Sequence, residues 1–312
     1  MSLPRRVRIE ARAKLNLGLA IGPRRPDGFH ELATIFQSVT LADTLVAERC
    51  TRGFSLEVLH EEAADRGRLS ARTRGAVPAG RGNLALRAAR LAIQYAGIDG
   101  GVHLHLTKRI PTQAGLGGGS ADAAAALVAV FALYGAQVPL ADRLALGAQL
   151  GADVPFALVG GAALGLGRGE RLTRLKPGRS FRVALAVPRW RISTAEAFRK
   201  LDRSRNYLTR WKDKLRFAKG AGGMGLWPYR ALRLGNSFED VLGLRMPNFV
   251  DLCARLREAG VQEPHLTGSG SAVFGLLGPR VLARSFFDRF KGSEALYVVR
   301  FARSGLGIRR LS

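Results

Sequence analysis

The run Pro111-Thr112-Gln113-Ala114-Gly115-Leu116-Gly117-Gly118-Gly119-Ser120-Ala121-Asp122 concentrates residue types that could do chemistry. Glycines let main-chain amides approach an anion with no Cβ in the way. A helix that starts where such a loop ends adds unpaired N–H groups and the positive end of its dipole. The pattern therefore predicts a phosphate cradle. It is not a Walker A loop, because no Gly-Lys-Ser/Thr follows the glycines. It also fails the dinucleotide fingerprint, which needs Gly where Ser120 stands. A flexible turn before a helix is the plainer alternative, and Ser120 weighs against it, since its hydroxyl can cap the helix, bind a phosphate oxygen or touch a metal ion. Two polar positions elsewhere are candidates: Lys14, which shares the polar face of a strand with Asn16, and Asp153, in a short polar interruption between apolar stretches, between Gly151 and Pro155. Taken singly, a strand lysine is solvated, and an aspartate so placed caps a helix or sits in a loop.

The elements that must position these residues follow from periodicity. Val7, Ile9, Ala11 and Ala13 alternate with Arg8, Glu10, Arg12 and Lys14, the period of a half-buried strand, which the turn Gly22–Gly28 closes. Glu61–Gly82 is polar, arginine-rich and glycine-punctuated, and reads as a loop or peripheral hairpin. Asn83 can cap a helix carrying Leu84, Ala88, Leu91 and Tyr95, with Gly97 beyond its end. Val102, Leu104 and Leu106 alternate into a strand that delivers the glycine loop. His103 and His105 share its other face without a third ligand and read as solvent-facing. An alanine-rich helix ends near Gly135, and a second helix runs from Pro139 to about Leu150. After a glycine-rich strand pair, the composition changes over Leu172–Arg179, where a domain boundary is expected. The rest reads as strand Val183–Val187, a helix from Thr194, a basic insertion, helix Pro247–Ala259, strand Ala272–Leu277, a helix, and strand Ala295–Phe301: a mixed α+β pattern.

With 312 residues, 47% hydrophobic and 23% charged, the chain has the balance of a globular protein, long enough for two domains. Its longest apolar run, Ala123–Tyr134, is short of the roughly 20 residues a membrane span needs, so a buried helix is expected. No signal-peptide core follows Arg5, Arg6 and Arg8, and the cytoplasm is the expected location. Cys50 and Cys253 lie far apart in no pairing or zinc pattern, and read as two core residues. The excess of 49 basic over 24 acidic residues gives a net charge of +25. Nucleic acid, an anionic surface or a polyphosphate substrate would each suit it. Because the excess is spread along the chain and dominated by arginine, it reads largely as compositional bias.

The loop's form, Pro-x-x-x-Gly-Leu-Gly-x-x-Ser, resembles the ATP-binding motif of the GHMP kinases. Three collinear segments strengthen the likeness. Ala13-Lys14-Leu15-Asn16-Leu17 resembles the family's first motif, Gly151-Ala152-Asp153-Val154-Pro155 its aspartate-bearing motif, and Leu266-Thr267-Gly268-Ser269-Gly270-Ser271 its third. Within the family, Arg25-Pro26-Asp27-Gly28-Phe29-His30-Glu31-Leu32 and Gly-Leu-Gly-Gly-Gly-Ser are similar to the cytidyl-methylerythritol branch. The likeness runs from about Ala11 to Phe274 and weakens between about Arg199 and Leu234.

What the resemblance implies is an α+β, two-domain architecture: an N-terminal ATP-binding domain over 1–175, similar to the second domain of ribosomal protein S5, and a ferredoxin-like C-terminal domain over 176–312. The active site would lie in the cleft between them. ATP would be bound by Pro111, Ala114, Gly115, Leu116, Gly117, Gly118, Gly119, Ser120 and Ala121, with Asn83 and Lys108 bordering the adenine side. By the same resemblance Asp153 is the catalytic base beside the acceptor hydroxyl, and Lys14 pairs with it and orients that hydroxyl. The acceptor, a cytidine diphosphate-linked methylerythritol, would be held by Asn16, Phe29, His30, Phe198, Thr267, Gly268 and Ser269. Phe29 stands where the family commonly has Tyr, keeping a stacking face and dropping a hydroxyl. Phe198 reads equally as a base-stacking ring or a core ring of an amphipathic helix. Mg²⁺ follows from ATP chemistry, with Ser120 as its side-chain contact, since no carboxylate cluster announces a metal. A different alcohol or sugar acceptor is the second reading. The third is RNA binding on a degenerate kinase scaffold, suggested by the basic insertion Arg189–Arg233 with its interleaved Trp190, Tyr207, Trp211, Phe217, Trp227 and Tyr229. A blander reading makes that insertion a family-variable loop. Monomer and homodimer both fit the sequence.

Overall fold

The computed structural model describes residues 3–61, 80, 82–176, 180–204, 208, 211–220, 228–242, 246–278 and 280–311. The loop or hairpin expected over 61–82, the Pro177-Gly178 boundary, Tyr207, Trp227 and the glycines at 222 and 223 thus fall wholly or mostly outside the described residues.

Two long strands, β1 (Arg6–Arg24) and β2 (His30–Cys50), pair antiparallel and form the spine. With β3 (Phe54–His60), β4 (Gly101–Lys108), β5 (Ala162–Gly167), β6 (Arg171–Arg174) and β11 (Leu306–Leu311) they make a seven-stranded sheet. The first half of β2 pairs with β5 and the second half with β4. Helices α1 (Leu84–Tyr95) and α2 (Gly118–Tyr134) pack beside this sheet, followed by α3 (Leu140–Leu150) and α4 (Val154–Val159). Most of α2 is buried around its whole circumference, as its Ala, Val, Leu and Phe sequence requires. Gly135, at φ 67°, ends it in the left-handed conformation.

A second, four-stranded antiparallel sheet has the order β10-β7-β9-β8, from β7 (Arg182–Val187), β8 (Val261–Leu266), β9 (Val273–Leu277) and β10 (Ala295–Arg300). Helix α9 (Pro247–Glu258) precedes β8 and α10 (Ala283–Arg289) precedes β10. The succession β7-α9-β8-β9-α10-β10 is the ferredoxin-like split βαβ arrangement. Between β7 and α9 it admits α5 (Thr194–Ser204), α6 (Trp211–Gly220), α7 (Tyr229–Leu232) and α8 (Ser237–Leu242).

β1 joins the two cores. Val7, Ile9 and Ala11 pack in the core beneath α1 and α2, whereas Ala13, Leu15 and Leu17 join Val183, Leu185 and Phe274 of the second sheet. Register with β2 shifts between Arg12 and Lys14 and again between Asn16 and Gly18, and such irregularities re-aim side chains. Lys14 and Asn16 lie between the two shifts. The chain leaves the first sheet after β6, enters the second at β7, and returns as β11 against β1. Cys253 is buried as expected, but Cys50 corrects the core reading: it is partly exposed at the end of β2, its Sγ–H directed to the Arg52 carbonyl. His103 is exposed beside Ser55, and His105 contacts Glu57 and Glu48.

Candidate active site

The glycine loop is held in place by main-chain contacts from both lobes. Leu116 O accepts from Lys14 N of β1 at 3.0 Å, and Ala114 O accepts from Ala272 N at 3.1 Å. Gly115, at φ 79°, packs so closely that a Cβ there would stand 2.1 Å from Thr267 O. Gly117, at φ 71°, passes over the Lys14 stem, where a Cβ would meet Cγ at 2.9 Å. Only glycine meets both demands. Gly117 occupies the N-cap position of α2 and offers no side chain, so the first-turn amides have no capping partner from it and are available to an anion. The amide of Ala121 is not among them: it donates to Gly117 O, and its side chain is buried.

Beneath the loop lies a buried ionic cluster. The Lys108 ammonium donates to Asp43 and, at 2.6 Å, to Asp122. The other Asp43 oxygen accepts from Arg109 N at 2.6 Å and Ile110 N at 2.8 Å, which fixes the strand exit into the loop. Burial pushes the Asp122 carboxyl up to about 8, Asp43 adding to the shift and Lys108 opposing it. For Lys108 burial acts downward, yet the two carboxylates outweigh it and hold its pKa raised. A full ion pair to each carboxylate would leave one negative charge stranded in the core, and a proton on Asp122 removes it.

The loop is a wall between two cavities. One, of about 370 Å³, is lined by Asn83, Lys108, Pro111, Ala114, Leu116, Gly118 and Gly119. The other, of about 890 Å³, is lined by Lys14, Asn16, Phe29, His30, Asp153, Phe198, Gly268 and Ser269. Gln113, Gly115, Gly117 and Ser120 border both. Asn83 caps α1, its Oδ1 accepting from Ala85 N at 2.8 Å. Lys108 reaches its cavity from below, with its ammonium committed to the two aspartates.

At the floor of the larger cavity, Lys14 Nζ donates to Asn16 Oδ1 at 2.6 Å and lies 3.3 Å from Asp153 Oδ2 and 5.6 Å from the Phe36 ring centroid. Asp153 occupies the N-cap position of α4, yet its side chain makes no capping bond. Its carboxylate therefore faces the lysine rather than the helix. Asn16 is fixed in turn: Nδ2 donates to Thr34 Oγ1 at 2.7 Å, and its backbone N donates to Thr267 Oγ1 at 3.1 Å. Thr267 thus acts through Asn16, and the Ser269 hydroxyl is 2.8 Å from that of Thr194.

At the far end the His30 ring stacks on Phe198 at 5.0 Å and 22°, and Phe198 meets Phe238 edge-on. His30 Nε2 is 2.7 Å from Asp202 Oδ1. Phe29 remains 54% exposed beside them. Asp43, Thr34 and Asp202 carry no motif in the sequence, and Asp122 ends the glycine-loop run with no role assigned to it there. Their roles arise from partners 14 to 172 positions away, which a reading of local spacing does not reach.

Residues 83–161 match the family described as GHMP kinases N terminal domain. A crystal structure of mevalonate kinase shares the fold, with a TM-score of 0.70 over 94% of this chain and 98% of that one at 14% identity. The fold is thus that of the GHMP class of kinases. A crystal structure of 4-(cytidine 5'-diphospho)-2C-methyl-D-erythritol kinase is more similar, with 36% identity and a TM-score of 0.72 over 94% of this chain and 98% of that chain. A 4-diphosphocytidyl-2-C-methyl-D-erythritol kinase from Pelotomaculum thermopropionicum is 38% identical over 291 residues, 93% of this chain and 95% of that protein. One from Moorella thermoacetica is 39% identical over 91% of this chain and 94% of its own length. The chain belongs to the 4-diphosphocytidyl-2-C-methyl-D-erythritol kinase family.

Proposed function

We propose that this chain transfers the γ-phosphoryl group of ATP to the 2-hydroxyl of 4-diphosphocytidyl-2-C-methyl-D-erythritol, a step in isoprenoid precursor synthesis. The observation that carries this reading is the Lys14–Asp153 couple, 3.3 Å apart, on the floor of a cavity whose wall is the glycine loop. The smaller cavity takes the nucleotide, with Asn83 and Pro111 at its border and the free amides of the α2 first turn on its phosphates. The larger cavity takes the acceptor, its base among Phe29, His30 and Phe198 and its polyol near Asn16. Stacking a base on such rings contributes about 1–3 kcal/mol.

Asp153 accepts the proton of the acceptor hydroxyl as that oxygen attacks the γ-phosphorus. The Lys14 ammonium stays close to the carboxylate and to the oxygen that develops charge. The N–H groups of Gly118, Gly119 and Ser120 hold phosphate oxygens without reorganising, because the loop is fixed from both lobes. Mg²⁺, when bound, supplies charge that neutralises the phosphates. Ser120, on the wall shared by both cavities, is the side chain that would touch it. No group of three or more His, Cys, Asp or Glu among the described residues forms a metal cage. A donor set of one hydroxyl, phosphate oxygens and water fits the habits of Mg²⁺.

A coupled ADP-release assay across acceptors tests the reading. Turnover should require the cytidyl-diphosphate acceptor, and equal turnover with mevalonate, homoserine or a free sugar would contradict it.

A further inference from the structure

The larger cavity carries an unbalanced charge that the roles above do not use. Five side chains bearing full charges line it: Lys14, Asp153, Arg168, Arg191 and Glu196. Lys14 is paired with Asp153, and Glu196 faces Lys200 at 3.0 Å. Arg168 and Arg191 remain, and they come from different lobes.

Arg168 sits on the turn between β5 and β6, its backbone N held by Glu170 Oε2 at 2.6 Å. Its guanidinium lies over the Phe29 ring, 4.9 Å from the centroid. Stacking fixes a guanidinium by its flat face and leaves the N–H groups around its edge for other partners. No carboxylate stands within ion-pair distance of it among the described residues. Asp27, which feels its charge, is bonded to Arg25 at 3.1 Å. Arg191 lies between β7 and α5, and its Nη1 donates to Gln113 Oε1 of the glycine loop at 3.0 Å. That neutral partner takes one of five donors and none of the charge.

We propose that Arg168 and Arg191 form a two-guanidinium clamp for the diphosphate bridge of the acceptor, and so determine the choice of a nucleotide-linked acceptor over a neutral one. The proposal rests on the acceptor reading above. A diphosphate diester carries two negative charges at neutral pH, and the cavity offers two cations that make no ion pair with a carboxylate among the described residues. The bridge must lie between the base and the reacting polyol. Arg168 stands beside Phe29 at the base end, and Arg191 stands beside the loop at the phosphoryl-transfer end. Guanidinium forks bind phosphate oxygens bidentately, through charge-assisted bonds about twice as strong as neutral ones. A neutral sugar alcohol entering the same cavity would leave both charges unanswered, which is a means of rejecting it.

Calorimetric titration of CDP, cytidine and a non-hydrolysable ATP analogue into the wild type, Arg168→Ala, Arg191→Ala and the double variant tests the clamp. Each single change should weaken CDP about tenfold and the double change about a hundredfold, with cytidine and the ATP analogue held within twofold. Arg168→Lys, which keeps the charge and loses the fork, should fall between wild type and Arg168→Ala. Unchanged CDP affinity overturns the proposal. Equal losses for CDP and cytidine overturn it too, since Arg168 would then act only by positioning Phe29. A loss confined to the ATP analogue in Arg191→Ala assigns that arginine to the transferred phosphoryl group instead. A wild type that binds the ATP analogue but neither CDP nor cytidine removes the acceptor reading itself, and the clamp with it.

Discussion

Lys14 is a buried cation that still borders a cavity, at 8% exposure. Three neighbours explain how it is tolerated there: an amide oxygen, a carboxylate and an aromatic face. Its replacement in Lys14→Met keeps the stem that underlies Gly117 and removes the charge. Turnover should drop about 10²-fold or more, with ATP-analogue affinity within threefold of wild type. A matching loss of nucleotide affinity would make Lys14 a prop for the loop instead. The two cysteines make a second residue-scale prediction. Burial pushes the Cys253 thiol up to about 12, so it should resist iodoacetamide in the native protein at pH 8, while the partly exposed Cys50 is alkylated first. Peptide mass spectrometry reads the order directly, and Cys253 reacting first would contradict its placement. Of the polar residues that the motifs single out, Lys14, Asn16, His30, Asp153 and Ser269 line the larger cavity, Asn83 and Lys108 line the smaller, and Ser120 borders both. Asp43 and Asp122 escape the same reading because their meaning depends on Lys108, which as a strand-end lysine has no pattern that announces a buried partner.

The glycine loop and α2 are the elements on which nucleotide binding depends, and their glycines are not equivalent. Gly118 has φ in the ordinary range, and a Cβ there would lie 3.1 Å from Ile110 Cγ2, so Gly118→Val crowds the cradle from below. Gly115→Ala adds both left-handed strain and a clash with a carbonyl. Both should weaken ATP-analogue binding, Gly115→Ala by at least about tenfold, or 1.4 kcal/mol. An unchanged affinity in both would show that the loop is not the nucleotide's cradle. The ionic cluster under the loop should also leave a pH signature. Asp122 has a folded pKa raised above its unfolded value, so the folded state holds the extra proton between about pH 4 and 8, and stability contributed by this group falls as pH rises across that window. Asp122→Asn should remove that dependence. The stability of the variant relative to wild type should grow from pH 5 to pH 8, by at most about 1.4 kcal/mol per unit. A pH-independent difference in urea midpoints would contradict it. Alternation makes β1 and β4 legible in the sequence, the Asn83 cap and helical spacing α1, and the alanine-rich apolar run ending at Gly135 α2. They are silent on β2, whose central residues Ala33–Val39 are all buried, so no polar face marks the strand. β8 is obscured by Pro264 and by the positive φ of Glu263 at a register shift.

At the scale of the whole molecule, one strand ties the lobes together. β1 contributes to both cores, and β11, the last element in sequence, closes the first sheet against it. Little in Leu306–Leu311 announces this return: two adjacent arginines occupy an exposed edge strand, and Ile308 is 51% exposed. A local reading therefore ends the fold one element early. Truncation after Gly305 should lower Tm by more than about 5 °C through loss of the β1 ladder, and an unchanged melting curve would show the strand to be dispensable. Among the described residues no helix is long and apolar enough to cross a membrane. The central claim concerns Asp153, 3.3 Å from Lys14 beside the glycine loop, as the base for the acceptor hydroxyl. Its most direct test is Asp153→Ala, assayed for ADP formation with the cytidyl acceptor and, in the same preparation, for ATP-analogue affinity. The account predicts turnover reduced at least about 10²-fold with nucleotide affinity within threefold of wild type. Turnover near the wild-type rate would contradict it.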